Sequence, residues 1–568
     1  MTIKNWKLFL IGLAIMLVGS IAANMVQTTG GIAIKDVRFV GAGGNLQSGL
    51  LYVPPGVTPE DKAPAILAVH GYINTREVQS GFAIEYARRG YVVLSVDQAG
   101  HGYSEGAAFS AGFGGPAALQ YLRSLDIVDV DNIGMEGHSM GGWAILAAAA
   151  TYPDDYKSIV LEGSSVGAPF AAEGTAEWPR NVSVVFSAYD EFSSLMWGVD
   201  KADDVEQSPK LMSFFSSETP VEEGRLYGDI EAGTARVLWQ PPVTHPGDHI
   251  SRAAIGYSID WFAQTLDGAL DLPASNQVWF YKEFGTLAGL VGFVVLILGA
   301  SQVLLTAPWL RDLNSTPVSS AHATRGSKWW GLFLFSAIFP VLNYYPLFNL
   351  AGTLFPASAL LPQTITSQVA FWAVINGTIA ALLGLVVRTD KVDFSINIVR
   401  SIVLAVSTIF VAYMAAVLAD FFLKVDFRFW FVGVKLLTAE RFPIALVYLV
   451  PFTVYFVLAL RALHGGLSVA GQNVWTTYGL NALALMGGFL AFLLLQYGKL
   501  FSTGTLLTPT EPLNTIVMFQ FVPLLLAASI ISTFLYRRTA SYLPGAFVNA
   551  LLITWFVVAG QATQYVVG

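Results

Sequence analysis

The sequence predicts two architectures in one chain: an α/β domain, with a mostly parallel sheet covered by helices, and an all-α polytopic membrane domain. Three observations carry this. Apolar runs of about 20 residues, enough to cross a bilayer, occur once near the N-terminus and repeatedly from about Phe284 onward. The stretch between them alternates short apolar strands with longer helical segments, the pattern of a parallel sheet packed on both faces. The composition, 54% hydrophobic and 12% charged, is too apolar for an ordinary soluble protein.

These features divide the chain into an N-terminal transmembrane anchor (1–28), an extracytoplasmic α/β domain (29–276) and a membrane domain of about eight helices (277–568). Charge separates the parts as well. Lys35 to Asp271 carries 14 Lys+Arg and 31 Asp+Glu, net −17, while the remainder carries 17 and 8, net +9. A domain this acidic repels nucleic-acid phosphates and anionic headgroups, so nucleic acid is not an expected partner. With no cysteine, disulfides, thiolate metal sites and cysteine nucleophiles are excluded.

Lys4 and Lys7 precede the first apolar run, which keeps the N-terminus in the cytoplasm and carries the following domain across. Eight further spans are expected near 285–306, 330–350, 367–387, 400–419, 442–460, 474–496, 514–535 and 543–562. The inner segments then hold eleven basic residues: Lys4, Lys7, Arg311, Arg325, Lys328, Arg388, Lys391, Arg400, Arg461, Arg537 and Arg538. The outer short loops hold five: Lys424, Arg428, Lys435, Arg441 and Lys499. This inward bias agrees with the orientation set by the first run. The alternative for that run is a cleaved signal peptide, since Ser20-Ile21-Ala22 resembles a small-residue cleavage site; apolar character continuing to Val26 favours the uncleaved anchor.

Within the α/β region, "PAILAVHGY", "YVVLSVDQAGHG", "NIGMEGHS", "YKSIVLEGSS" and "VSVVFSAYD" read as buried strands, with "SGFAIEYARRG" and "GPAALQYLRSL" as helices between them. "GAGG" at 41–44 reads as a hairpin turn. Chemistry in such sheets sits at the carboxyl ends of the strands. Three serines stand in a G-x-S-x-G pattern: Ser104, Ser139 and Ser165. A nucleophile elbow needs a strand, a tight turn and an immediate helix. Only Ser139 has both the strand before it and a helical segment, "GWAILAAAATY", after it; Ser165 is followed by Pro169 and Ser104 by a glycine-rich loop.

With "LAVHGY" ending the third strand, "DQAGHGYSEG" the fourth and "GHSMGG" the elbow, residues about 34–271 resemble the alpha/beta-hydrolase superfamily. The C-terminal membrane half resembles no family identified. The resemblance implies a Ser-Asp-His triad in that chain order and an oxyanion hole of two backbone N–H groups. By position those donors are Met140, after the nucleophile, and Tyr72, after His70-Gly71. Of the histidines beyond the elbow, His322 and His464 fall on expected cytoplasmic loops, leaving His245 and His249. His249 is preferred, because it follows Gly247-Asp248 and precedes the final helix "SRAAIGYSIDWFAQTL"; His245 is the alternative. Asp190 stands where the family's acid stands, with Glu191 its nearest competitor and Asp203 and Asp204 read as part of a solvated loop.

His70, His101, His138 and Asp97 are expected to support loop geometry. No metal-ligand spacing and no phosphate- or dinucleotide-binding glycine motif is present, so no cofactor is expected. Gly285, Gly289 and Gly292 give a small-residue face for close helix packing, and "DFFLKVDFRFWFVG" is expected to lie along the membrane surface facing the hydrolase. The resulting expectation is a multi-pass serine hydrolase of the cell membrane, esterase- or lipase-like. It would cleave an ester or related acyl bond of a small-molecule or lipid substrate through an acyl-enzyme on Ser139. A serine peptidase or acyltransferase would use the same triad. From a different class, a transporter or receptor-like protein would carry a hydrolase-like domain that does not catalyse.

Overall fold

The computed structural model describes residues 3–387, 389 and 391–566; Arg388, counted above among the inner basic residues, lies outside them. After helix α1 (Ile3–Gln27) come β1 (Ala33–Val40), β2 (Leu46–Val53), β3 (Ala63–Val69), α2 (Ser80–Arg88), β4 (Val92–Val96), α3 (Gly115–Arg123), β5 (Val128–His138), α4 (Met140–Thr151), β6 (Ser158–Glu162), β7 (Val182–Val185), α5 (Ser193–Trp197), α6 (Pro209–Phe214), β8 (Arg236–Trp239) and α7 (Arg252–Thr265). The eight strands form one sheet in the order β1-β2-β4-β3-β5-β6-β7-β8. β1 and β2 are an antiparallel hairpin, with Ala33 opposite Val53 and Val40 opposite Leu46, and β2 meets β4 antiparallel. From β4 onward every neighbouring pair is parallel.

The parallel strands are buried on both faces, which their uninterrupted apolar runs require. Alternate residues of β3 divide between two cores. Leu67 and Val69 pack with Leu119 and Ile145 of α3 and α4, while Ile66 and Ala68 pack with Phe82 and Phe262 of α2 and α7.

The second half is helical: α8 (Trp279–Leu304), α9 (Ser327–Leu342), α10 (Tyr344–Leu354), α11 (Thr364–Val386), α12 (Ile398–Leu423), a hairpin of β9 (Phe427–Phe429) and β10 (Val432–Val434), then α13 (Arg441–Gly466), α14 (Val474–Thr503), α15 (Pro512–Thr539) and α16 (Leu543–Gly560). Among the described residues, eight helices, α1 included, are long and apolar enough to cross a membrane, and α9 with α10 makes a ninth span bent by 48°. The span expected near 330–350 is thus formed by a bent pair of helices. Pro346 has no N–H to give to the carbonyl four residues back, and its ring collides with it, so the helix breaks at Asn343. The Asn343 and Asn376 side chains then pair with each other at 2.9 and 3.1 Å. His464, expected on a loop, sits instead in the last turn of α13, stacked on Tyr536.

Helix α1 lies along α8. The small-residue face of α8 finds its partner here: a Cβ on Gly292 would come within 2.4 Å of Met16 N, and one on Gly12 within 2.4 Å of Leu296 N. Larger side chains would force the two helices apart.

The segments of the helical half that meet the sheet domain include the start of α8, where Lys282 donates to Ser80 at 2.8 Å, the end of α12, the β9–β10 hairpin, the start of α13, the ends of α14 and α15 flanking the 504–511 turn, and the residues after α16. Glu77, 7% exposed, is the centre of the contact: its carboxylate receives Lys435 Nζ at 2.7 Å and Arg76 Nε at 3.2 Å, with Arg428 Nη2 at 3.8 Å. Lys435 also approaches Asp97 at 3.5 Å, and Lys424 approaches Asp36 at 3.6 Å. Arg441 donates to the carbonyls of Val558, Ala559 and Gln561 at the end of α16, and to Gly100 of the sheet domain at 2.9 Å. A cation there suits the partial negative charge of a helix C-terminus.

Replacing Glu77 by Ala removes the nearest carboxylate from buried Lys435, which then has Asp97 at 3.5 Å, a loss of about 3–5 kcal/mol when one partner of a buried pair is removed. We expect a clear fall in the thermal unfolding midpoint of the detergent-solubilised protein; an unchanged midpoint would show that the ion cluster does not hold the two halves together.

Candidate active site

The elbow has the geometry its sequence calls for. Ser139 sits between β5 and α4 with φ 54° and ψ −120°, a conformation costly for a non-glycine residue and tolerated where the surroundings impose it. The flanking glycines are steric necessities: a Cβ on Gly137 would lie 2.3 Å from Gly141 O, and one on Gly141 2.0 Å from Val69 O. Ser139 N–H donates to Glu162 O at 2.8 Å, which ties the turn to β6. Ser139 is half-buried. By contrast, Ser104 is spent on Ser48 N–H and Asp97 O, and buried Ser165 lies against Lys210 Nζ and Met196 Sδ.

Asp190 follows β7, and its Oδ2 lies 2.7 Å from His245 Nδ1. This corrects the preferred pairing with His249. After Thr244 the chain makes a short 3-10 turn over His245–Ile250, which aims His245 at the acid. It carries His249, four residues on, against the His138 ring (centroids 4.1 Å) and towards Phe82 of α2. Both ring nitrogens of His249 are buried without a hydrogen-bond partner. Asp248, which made the Gly-Asp-His run attractive, instead accepts the Ser187 hydroxyl. His245 packs on the residues around the elbow: His138 Nε2 meets its carbonyl at 2.9 Å, and a Cβ on Gly163 would fall 2.9 Å from its Nδ1.

Electrostatics separate the two histidines in the same sense. Burial lowers both, but for His245 the Asp190 charge and hydrogen bond, with Glu191 and Asp248, outweigh it and hold the imidazolium above its ordinary range. His249, with burial and the neighbouring His245 against it, is pushed down to about 3. Glu191 does not pair with the His245 ring. Its Oε2 accepts the His245 backbone N–H at 2.8 Å and its Oε1 the Tyr497 hydroxyl at 2.6 Å, and burial beside Asp190 raises it to about 7.

The β3 loop closes on the elbow from the other side, where a Cβ on Gly71 would lie 3.0 Å from Ser139 Cβ. Tyr72 follows it, and Met140 opens α4; among the described residues neither amide donates to a protein acceptor. His70 accepts Gln98 N–H, and Asp97 accepts the N–H groups of Arg76 and Tyr103, the loop-supporting roles their positions predict. The Tyr72 ring belongs to an aromatic patch in which it meets Phe109 at 5.2 Å, Phe109 stacks on Phe170 at 5.7 Å, and Phe170 meets Trp143 of α4 at 4.9 Å. Sequence reasoning missed this patch, since its members are far apart in the chain.

Comparison with known proteins bears on the fold of this region. A profile of the alpha/beta hydrolase fold matches residues 64–192, and the sheet order and elbow of this part of the chain have the features of that fold. Among characterised relatives, a monoacylglycerol lipase of Mycolicibacterium smegmatis is 27% identical over 194 residues, 32% of this chain and 63% of that protein. Dipeptidyl peptidase 8 of Homo sapiens is 30% identical over 135 residues, 21% of this chain and 15% of that protein. A dienelactone hydrolase structure from Anabaena variabilis aligns over 41% of this chain and 99% of its own, at 18% identity and a TM-score of 0.28. The chain thus spans less than two thirds of the curated relatives it matches.

Because the elbow leaves no room for a Cβ at residue 141, Gly141→Ala should displace Ser139 and abolish its labelling by a fluorophosphonate. Labelling at the wild-type rate would contradict the packing described for the turn.

Proposed function

We propose that the protein is a multi-pass membrane serine hydrolase that cleaves an ester or related acyl bond, and the single observation that carries this is the Asp190–His245 pair, whose imidazole packs on His138, the neighbour of the strained Ser139 in the elbow. Asp190 fixes the imidazole with Nδ1 towards itself, leaving Nε2 to take the Ser139 proton as Oγ attacks the acyl carbon. The Met140 and Tyr72 amides stabilise the oxyanion of the tetrahedral intermediate. His245 then gives its proton to the leaving group, and a water activated by the same nitrogen releases the acyl group from Ser139.

An apolar acyl substrate, a lipid among the candidates, is favoured by the patch of Tyr72, Phe109, Phe170 and Trp143 next to the nucleophile, in which Phe109 and Phe170 remain 40% and 46% exposed, and by the likeness to a lipase. The peptidase relatives favour peptide bonds as the second reading; the triad itself serves both.

The long apolar helices would sit in the bilayer with the catalytic domain outside. Starting from a cytoplasmic N-terminus, alternation across nine spans puts the β9–β10 hairpin, the 504–511 turn and the C-terminal residues on one side with the sheet domain, and all three touch it. Four of the five outer basic residues, Lys424, Arg428, Lys435 and Arg441, are engaged by the sheet domain or by a helix end. They therefore serve docking and do not oppose the inward bias of free charge.

Hydrolysis of p-nitrophenyl esters by the purified protein tests the reading. Ser139→Ala and His245→Ala should each lower kcat by roughly 10⁴-fold or more, as loss of a triad member does, while His249→Gln should retain turnover. Folded protein that neither turns over esters nor peptides nor labels at Ser139 would support the non-catalytic alternative.

The pH profile distinguishes the histidines independently. The base acts when neutral, so kcat/KM should fall as pH drops through the raised value of His245, above the usual 6.5. A limb near pH 3 would assign the base to His249, which burial holds at about 3.

A further inference from the structure

We propose that the helical half completes the catalytic site: Tyr497 of α14 and Trp430 of the β9–β10 hairpin are positioning residues that hold the two loops bearing Asp190 and His245. The proposal rests on the reading of those residues as acid and base.

Three contacts converge on the pair. Tyr497 donates its hydroxyl to Glu191 Oε1 at 2.6 Å, and the other oxygen of that carboxylate receives the backbone N–H of His245 at 2.8 Å. One buried side chain, adjacent in sequence to Asp190, thus links a long apolar helix to the backbone of the base. On the other side of His245, Trp430 Nε1 donates to the carbonyl of Pro246. The hairpin carrying Trp430 is itself anchored on α8, its N–H donating to Glu283 Oε2 at 3.1 Å. Between these clamps, Phe192 packs on the His245 ring at 4.6 Å and joins Trp430, Phe431 and Phe519 in one apolar cluster. Tyr189 meets Phe501 of α14 edge-on at 5.1 Å.

The need for such clamps follows from the local structure. His245 opens a single 3-10 turn, whose hydrogen bonds are few and poorly aligned, and Asp190 stands at the end of a four-residue strand. Neither loop has a long element of its own to fix it. An imidazole misplaced by about 1 Å costs on the order of 10²-fold in rate, so the backbone on both sides of His245 has to be held from outside the loop. The sheet domain supplies part of that hold, since Tyr189 N–H donates to Val243 O at 3.1 Å and His138 Nε2 meets His245 O at 2.9 Å; Tyr497 and Trp430 add the helical half's share by fixing Glu191 and Pro246.

The test uses the full-length protein in detergent or nanodiscs. Tyr497→Phe keeps the ring and removes the hydroxyl; Trp430→Phe keeps an aromatic and removes the indole N–H. Each should lower kcat about tenfold or more, the effect of one hydrogen bond to a carboxylate or a strained loop, with KM and the thermal midpoint nearly unchanged. Tyr497→Phe should also move the acidic limb of kcat/KM to lower pH. Without the hydroxyl, Glu191 holds its proton more tightly and no longer supports the imidazolium of His245, while Asp190, Asp248, His138 and His249 still face that ring. Trp430→Phe should leave the limb in place.

Wild-type kcat and an unmoved limb in both variants would overturn the proposal. So would a loss of rate that vanishes when turnover is divided by the fraction of Ser139 that labels, since that marks a purely structural role. Absence of turnover and of Ser139 labelling in the wild type would instead remove the hydrolase reading, and this proposal with it.

Discussion

Glu77 is the point on which the two halves of the molecule depend. Its carboxylate is buried among Arg76, Lys435 and Arg428, so the acidic domain and the basic loops of the helical half cannot separate without leaving charges stranded. An isolated charge in such a place would be prohibitively costly; several opposite charges with hydrogen bonds in good geometry make it tolerable. Everything at the domain boundary is arranged around that cluster. Arg441 bridges Gly100 to the end of α16, Thr563 pairs with Gly100 and Ala108 through the backbone, and Gln564 reaches the Tyr72 hydroxyl at 2.8 Å. The active-site loops therefore face the helical half as a fixed surface.

That arrangement accounts for the size of the helical domain better than anchoring does. One span suffices to tether a hydrolase, and α1 with α8 already provides a close glycine-lined pair. The remaining helices present Trp430, Tyr497 and Gln564 at three separate loops around Ser139. The same surface leaves Phe109 and Phe170 of the aromatic patch partly open.

Much of the fold was legible in the sequence because it rests on local signals. Uninterrupted apolar strands marked the parallel sheet, the strand-turn-helix context singled out Ser139 over Ser104 and Ser165, and apolar runs of bilayer length marked the spans. Two features were not legible for physical reasons. Pro346 marks a possible break, but whether a helix kinks or continues depends on its neighbours, here the Asn343–Asn376 pair. The choice between His245 and His249 turns on where a six-residue 3-10 turn points its first and fifth residues, which tertiary contacts to Glu191 and Trp430 decide. Spacing before the last helix pointed to the wrong one. The helical half's contribution to the site was likewise hidden, since Tyr497 and Glu191 are 306 residues apart.

The central claim, that Ser139 is an activated nucleophile, is tested most directly by treating the intact detergent-solubilised protein with a fluorophosphonate and mapping the modified peptide by mass spectrometry. The account predicts one stoichiometric adduct, on Ser139, that is lost in His245→Ala and retained in His249→Gln. A folded protein with no adduct, or with the adduct on Ser104 or Ser165, would contradict it.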